Sequence, residues 1–302
     1  MLLLLPSAQV FAQGLGTTAN GEMALRAIQQ AFPDRTGEIA FIDNDWTIRA
    51  GEETFFWAGG RLLPQAERDN TDTYGPHSFY VIPPAAAPPE DYPPQYIEVL
   101  RARGRDSTRP LRPDSHWALQ GILYGGIERH QVEAMLERIV FLDKRVTVHR
   151  SIVPALTRID AAIRAWDDGR NFIASLETIE GYSWRQVAGT QRMSYHSWGL
   201  ALDIRPARLG SRAIYWQWER GRSEDNWMLV PLENRWNPPD FVIEIFESEG
   251  FVWGGKWPMY DNMHFEFRPE LHEFTRLMAT NPAAGTAGLD VHHVFPPITI
   301  RN

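Results

Sequence analysis

The chain contains no cysteine among its 302 residues. Disulfide bonds, thiolate zinc sites, iron–sulfur clusters and cysteine nucleophiles are therefore excluded. A bacterial lipoprotein anchor is excluded as well, because that anchor is attached to a cysteine. Any transition metal must be held by histidine and carboxylate side chains.

Long basic runs and long apolar runs are also missing. The net charge is −8, and phosphate binding needs clustered lysine and arginine, so a nucleic-acid partner is not expected. Beyond the N-terminus no segment is apolar and long enough to span a bilayer, so no integral membrane segment is expected. Apolar residues make up 43% of the chain, which is enough for a sizeable core.

Residues 1–15 resemble the end of a secretory signal. A short leucine-rich run leads to Val10-Phe11-Ala12, which fits a small-x-small cleavage site with the cut before Gln13. No basic residue precedes the run; one explanation is that the natural start lies upstream of Met1, and the alternative interpretation of the segment is a frayed apolar terminus. This segment predicts a periplasmic or extracellular protein.

Four segments are predicted along the chain. After the signal-like segment, residues 16–125 form an N-terminal β-rich region with a Pro-rich connector, which covers residues 83–94. A second domain covers residues 126–280, and residues 281–302 form a C-terminal tail.

Apolar spacing of three and four predicts helices in the second domain. The first contains Val132 and Ile139, the second lies between Pro154 and Gly169, the third covers residues 172–179, and a fourth begins at Asp240.

Alternating patterns predict strands at residues 199–204, 251–253 and 263–267. Helices and strands are mixed without regular βαβ alternation. The predicted class is therefore α+β, with packed helices and an antiparallel sheet.

His196, Asp203 and His264 are the candidate metal ligands. Side chains alternate along a strand, so Asp203 shares a face with the small Ala201, and two adjacent strands can present Asp203 and His264 to one point. His196 precedes the first strand at a turn that Gly199 makes sharp. Two imidazoles and one carboxylate suit a hydrolytic zinc site with a position open for water, although another first-row ion remains an alternative.

Asp261 is the candidate general base. It lies three residues before His264, within reach of the same centre without being a ligand. A carboxylate there can take a proton from water and pass it to the leaving amine. Taken alone, an aspartate before an asparagine is usually a turn former, so the assignment depends on the joint pattern.

The pattern Ser-x-His-x-x-Gly-x-Ala-x-Asp at residues 194–203, followed by Asp-x-x-His-Phe-Glu at 261–266, resembles the zinc D-alanyl-D-alanine carboxypeptidases, the VanY-like metallopeptidases. These are related to the L-alanyl-D-glutamate endopeptidases of phage endolysins. The segment Trp253-Gly254-Gly255-Lys256-Trp257 is similar to that family's Trp-Gly-Gly-x-Trp. The resemblance implies a D-Ala-D-Ala carboxypeptidase or hedgehog-like fold, zinc on the three ligands and Asp261 as base, and aspartate there is closer to the endopeptidase branch.

The resemblance also implies an arginine that contacts the substrate and the developing oxyanion. Arg185 is the better match and Arg192 is its rival, with a surface ion pair as the alternative for both. Ser194 either orients a ligand, binds substrate or satisfies backbone groups. Glu266 either holds His264 from behind or pairs with Arg268.

Together these features predict a Zn²⁺-dependent peptidase acting on peptidoglycan stem peptides, either as a D,D-carboxypeptidase or as an L-Ala-D-Glu type endopeptidase. One alternative is a non-catalytic, zinc-stabilised cell-wall binding module, which would need no base at Asp261. Another is a periplasmic dipeptidase that cleaves free D-Ala-D-Ala.

Overall fold

The computed structural model describes residues 18–105, 114–187 and 192–280. The signal-like segment up to residue 15 and the predicted tail from 281 lie outside these residues. The described residues form two compact units: the first comprises those up to Ile82 together with those from Glu270 on, and the second runs from Pro83 to Pro269. The division after Ile82 falls at the start of the Pro-rich connector, whereas the sequence analysis placed the second domain from residue 126.

The part of the first unit that precedes Ile82 begins with an α-helix, which is followed by a small antiparallel sheet. Its strands are hydrogen-bonded in chain order, and positive φ angles of 49° and 65° at Asp43 and Asn44 make the tight turn between the first two. Within the region predicted to be β-rich, residues 16–125, the strands lie between Thr36 and Pro64, whereas Thr18–Ala31, Pro94–Arg105 and Ala118–Tyr124 are helices that were not predicted. The elements are α1 (Thr18–Ala31), β1 (Thr36–Ile42), β2 (Asp45–Ala50), β3 (Glu53–Phe56) and β4 (Leu63–Pro64).

The second unit mixes helices with two antiparallel sheets. The elements are α2 (Pro94–Arg105), α3 (Ala118–Tyr124), α4 (Arg129–Glu133), β5 (Leu136–Phe141), β6 (Lys144–His149), α5 (Val153–Ala165), α6 (Gly169–Ala174), β7 (Leu176–Glu180), β8 (Ala201–Pro206), α7 (Trp216–Arg222), α8 (Asp240–Ser248), β9 (Phe251–Trp253) and β10 (His264–Phe267). The last described helix, α9 (Pro269–Thr280), begins at the unit boundary and belongs to the first unit from Glu270 on.

The central sheet of the second unit has the strand order β7-β8-β10-β9, with every neighbouring pair antiparallel. Helix α8 covers one face, where Phe246 stacks on Phe265 with ring centroids 4.2 Å apart and both rings fully buried. The α+β class with an antiparallel sheet is confirmed. Burial of this apolar face anchors β10, which carries one of the candidate ligands on its other face.

The predicted helix through Val132 and Ile139 is wrong for most of its length. Helix α4 ends at Glu133, and β5 pairs with β6 as a hairpin. The hairpin turn uses positive φ angles of 47° at Leu142 and 64° at Asp143, where the sequence offers no glycine to signal it. Asp160 of α5 stabilises the turn by accepting the Leu142 N–H at 2.8 Å, a tertiary contact that local spacing does not reveal.

The predicted helix over residues 172–179 is also wrong. Helix α6 ends at Ala174, and Leu176–Glu180 is strand β7, which pairs with β8. In contrast, α5 begins and ends as its punctuation predicts, with Pro154 in its first turn. Within the described residues, no helix is both long and apolar enough to cross a membrane.

Candidate metal centre

Strands β8 and β10 bring Asp203 and His264 side by side. The register pairs Asp203 directly with His264 and Ala201 directly with Glu266. Paired residues of an antiparallel ladder point to the same face of the sheet, so all four side chains share one face. The methyl group of Ala201 therefore makes room for the Glu266 carboxylate, which lies behind His264.

His196 reaches the same point from a short turn before β8. The turn covers Tyr195–Trp198, and the Ser194 Oγ caps it by accepting the His196 N–H at 3.3 Å. Gly199 then follows with φ of 66°, and a Cβ there would lie 2.7 Å from the backbone nitrogen of His149. Only glycine satisfies both conditions, so the sharp turn expected at Gly199 is confirmed.

Three ligand atoms converge in this centre. The Asp203 Oδ1 lies 2.9 Å from His264 Nδ1 and 3.2 Å from His196 Nε2, and the two imidazole nitrogens are 3.3 Å apart. Ligands at about 2.0–2.1 Å from a tetrahedral zinc ion are separated by roughly 3.3 Å. The triangle therefore has nearly the dimensions that one zinc ion requires, and all three residues are buried.

Further contacts fix both imidazoles. The His196 Nδ1 donates to the Gly181 carbonyl at 2.6 Å, which leaves its Nε2 as the acceptor nitrogen for a metal. The His264 Nε2 lies 3.3 Å from Glu266, and Glu266 in turn accepts from Arg268 at 3.0 Å. Glu266 thus contacts both His264 and Arg268, which the sequence had presented as alternative partners.

The electrostatics of the cluster follow from these contacts. Burial alone would raise the pKa of Asp203, but His196 and His264 hold it far below its usual range. Burial alone would lower the pKa of His264, but its hydrogen bonds to Asp203 and Glu266 raise it to about 10. The two carboxylates therefore favour a proton on His264, which a metal ion bound there would have to replace.

Asp261 lies at the start of the turn that leads into β10. Its N–H donates to Gly254 and its carbonyl accepts the His264 N–H, each at 3.1 Å. Its buried Oδ1 atom has no hydrogen-bond partner among the residues that the structure describes. Burial, followed by the nearby charge of Asp203, raises the pKa of this carboxyl to about 7. A carboxyl with such a pKa can exchange a proton near neutral pH.

Arg185 lies at the edge of the cluster, where its Nη2 is 3.8 Å from the Asp203 Oδ2. The fully buried hydroxyl of Ser197 fixes its backbone, accepting the Arg185 N–H at 3.0 Å and donating to the Arg185 carbonyl at 2.7 Å. Sequence reasoning did not identify Ser197, although it stands inside the first motif.

A cavity of about 300 Å³ opens beside the cluster. It is bounded by β6, the end of β7 and the chain that follows β7, and its lining includes Arg185, His196 and Asp203. Arg192, the predicted rival of Arg185, does not line this cavity. Burial lowers the pKa of Arg192, against the attraction of Tyr195 and Glu266. The placement favours Arg185 as the arginine that faces a bound substrate.

Comparison with known families agrees with the site. Residues 188–267 match the sequence profile of a family described as D-alanyl-D-alanine carboxypeptidase, and these residues make up about a quarter of the chain. The matched segment contains His196, Asp203, Asp261 and His264 but begins after Arg185. This match supports a peptidase domain of that family in the second unit.

The first unit contains a second match. Residues 24–79 match a family described only as a domain of unknown function. No curated protein and no solved structure was found to match the chain.

Proposed function

We propose that this protein is a zinc-dependent peptidase that hydrolyses an amide bond of peptidoglycan stem peptides in the periplasm or outside the cell. The observation that carries the proposal is the triangle of His196 Nε2, Asp203 Oδ1 and His264 Nδ1, with sides of 2.9–3.3 Å beside an open cavity. A zinc ion held there would polarise a carbonyl group and lower the pKa of a water molecule.

The residues around the triangle have separate tasks. Asp261 accepts a proton at its unpartnered Oδ1 and returns it to the leaving amine, for which a pKa near 7 is well suited. The Arg185 guanidinium stabilises the negative charge that develops on the carbonyl oxygen. In comparable sites such stabilisation lowers the activation free energy by about 3 kcal/mol. Glu266 and the Gly181 carbonyl hold the two imidazoles in their orientations.

The Asp261 carboxyl also separates the peptidase from a zinc-stabilised binding module. A structural site needs only its ligands, whereas this carboxyl is buried beside them with an oxygen that no described group satisfies. Keeping such a group out of water costs free energy, which a proton-transfer role explains.

The first test measures metal content and hydrolysis in matched variants. Purified wild-type protein should contain close to one zinc ion by mass spectrometry of the metal, and His196→Ala should lose it. The control variant His130→Ala removes an exposed imidazole from α4, and this variant should retain the zinc ion. Asp261→Ala should retain zinc and lose hydrolysis; retained hydrolysis would remove the assigned base.

The bond cleaved is identified by digesting purified peptidoglycan and analysing the new termini by mass spectrometry. Release of free D-Ala identifies a carboxypeptidase, and a new D-Glu amino terminus identifies an endopeptidase. Unchanged fragments, with zinc still bound, would contradict hydrolysis and favour the binding module.

A further inference from the structure

The cavity beside the metal centre extends along β6. Arg145, Val146 and Thr147 all line it. The side chain of Val146 is buried, and those of Arg145 and Thr147 lie on the opposite face of the strand. The chain after β7 forms the other wall. Tyr182 donates its N–H to the Thr147 carbonyl at 2.7 Å, and a Cβ at Gly181 would lie only 2.3 Å from that carbonyl oxygen.

These contacts also show where β6 lies relative to the candidate metal centre. The Gly181 carbonyl that accepts from His196 adjoins Thr147, so this part of β6 lies beside the metal centre. Arg145 is two residues further along the strand, or about 7 Å. Arg145 and two of the candidate ligands, His196 and Asp203, line the same cavity. A substrate that lies in the cavity with an amide bond at the metal centre would therefore also pass Arg145.

The charges in the cavity distinguish Arg145 from its neighbours. Arg185 lies 3.8 Å from Asp203, and Glu180 lies 3.8 Å from Arg205. Arg145 is exposed and forms no ion pair with any residue that the structure describes. The outer end of the cavity therefore presents a guanidinium whose charge no described carboxylate neutralises.

We propose that Arg145 is a specificity-determining residue that binds a carboxylate of the peptide substrate, away from the scissile amide. The proposal rests on the proposed function for its choice of ligand. A planar guanidinium matches a carboxylate through two parallel N–H···O contacts, and it loses this match when the carboxylate is replaced by a carboxamide. Arg145 thus selects acidic over amidated stem peptides.

Binding of three synthetic peptides tests the proposal. The peptide L-Ala-γ-D-Glu-L-Lys-D-Ala-D-Ala is used with both carboxyl groups free, with the D-Glu α-carboxyl amidated, and with the C-terminal carboxyl amidated. Kd values are measured by calorimetry with one equivalent of zinc in an Asp261→Ala background, which prevents turnover. The matched control is Lys144→Gln, which removes an equal charge from the adjacent residue, and Lys144 does not line the cavity.

Arg145→Gln should weaken binding of the fully acidic peptide about tenfold and abolish discrimination against one of the two amidated forms, thereby identifying the carboxylate. Lys144→Gln should preserve the discrimination. The proposal is overturned if Arg145→Gln keeps full discrimination, if both variants lose it equally, or if none of the peptides binds. Selective binding through Arg145 without any hydrolysis by the wild-type protein would refute the peptidase while leaving the carboxylate site in place.

Discussion

Replacing Gly199 by alanine tests how the turn before β8 positions His196. The new methyl group would lie 2.7 Å from the His149 nitrogen and 3.1 Å from the Val148 carbonyl carbon, both in the backbone of β6. Backbone atoms of a paired strand cannot move aside as a flexible side chain does. The φ angle of 66° adds the strain that any residue with a Cβ has in this region.

Gly210 provides the matched control. Its φ angle is 64°, nearly that of Gly199, but a Cβ there would meet no atom within 4 Å. Gly210→Ala should therefore cost only the backbone strain, about 1 kcal/mol. Gly199→Ala should cost that strain and a further 1–3 kcal/mol or so for overpacking. The difference between the two variants isolates the close approach of the turn to β6.

Urea unfolding of both variants in the presence of a chelator measures the two costs without the contribution of bound metal. Zinc titration then measures whether the displaced turn weakens the metal site, which we expect for Gly199→Ala only. Equal destabilisation by the two substitutions, or tight zinc binding by a strongly destabilised Gly199→Ala, would refute this account of the turn.

Two further predictions concern the cluster. Ser197→Ala removes two hydrogen bonds from the Arg185 backbone and should lower kcat/KM about tenfold at unchanged zinc content; an unchanged kcat/KM would contradict the positioning role. In the metal-free protein the pKa of His264 is raised to about 10, so it is protonated at pH 8, whereas a zinc ligand must be neutral. Zinc binding at pH 8 should therefore release about one proton, and affinity should rise with pH from 7 towards 10. Calorimetry in two buffers of different ionisation enthalpy measures the release, which should decrease in Glu266→Gln; no release would contradict the raised pKa.

Much of the metal centre could be predicted before the fold was known. Strand alternation placed Asp203 and His264 on compatible faces, and the structure pairs them directly. This succeeded because the period of a strand is local and strict, so a short alternating run settles which side chains share a face. The turn at Gly199 was predictable for a similar reason, because a positive φ angle is a property of a single residue and glycine adopts it most readily.

Helix and strand were confused where the apolar spacing fits either structure. Residues around Leu136 and Leu176 carry such spacing, but both begin strands that depend on contacts outside those residues. Strand β7 pairs with β8, and the hairpin turn after β5 depends on Asp160 of α5. Contacts of this kind override the local preference for helix or strand, and the local apolar spacing does not reveal them.

The amino-acid sequence by itself determined the chemistry of the site. Without cysteine, any ligands for a transition metal had to be imidazole and carboxylate, and the spacing of two motifs indicated His196, Asp203 and His264 as the candidates. Only the tertiary structure decided what surrounds them: the Gly181 carbonyl on His196, the Ser197 hydroxyl on Arg185, and the cavity along β6. The two hydrogen bonds join residues 15 and 12 positions apart, and the cavity is lined by residues from Arg145 to Asp203, so this geometry exists only once the sheet and the hairpin have packed together.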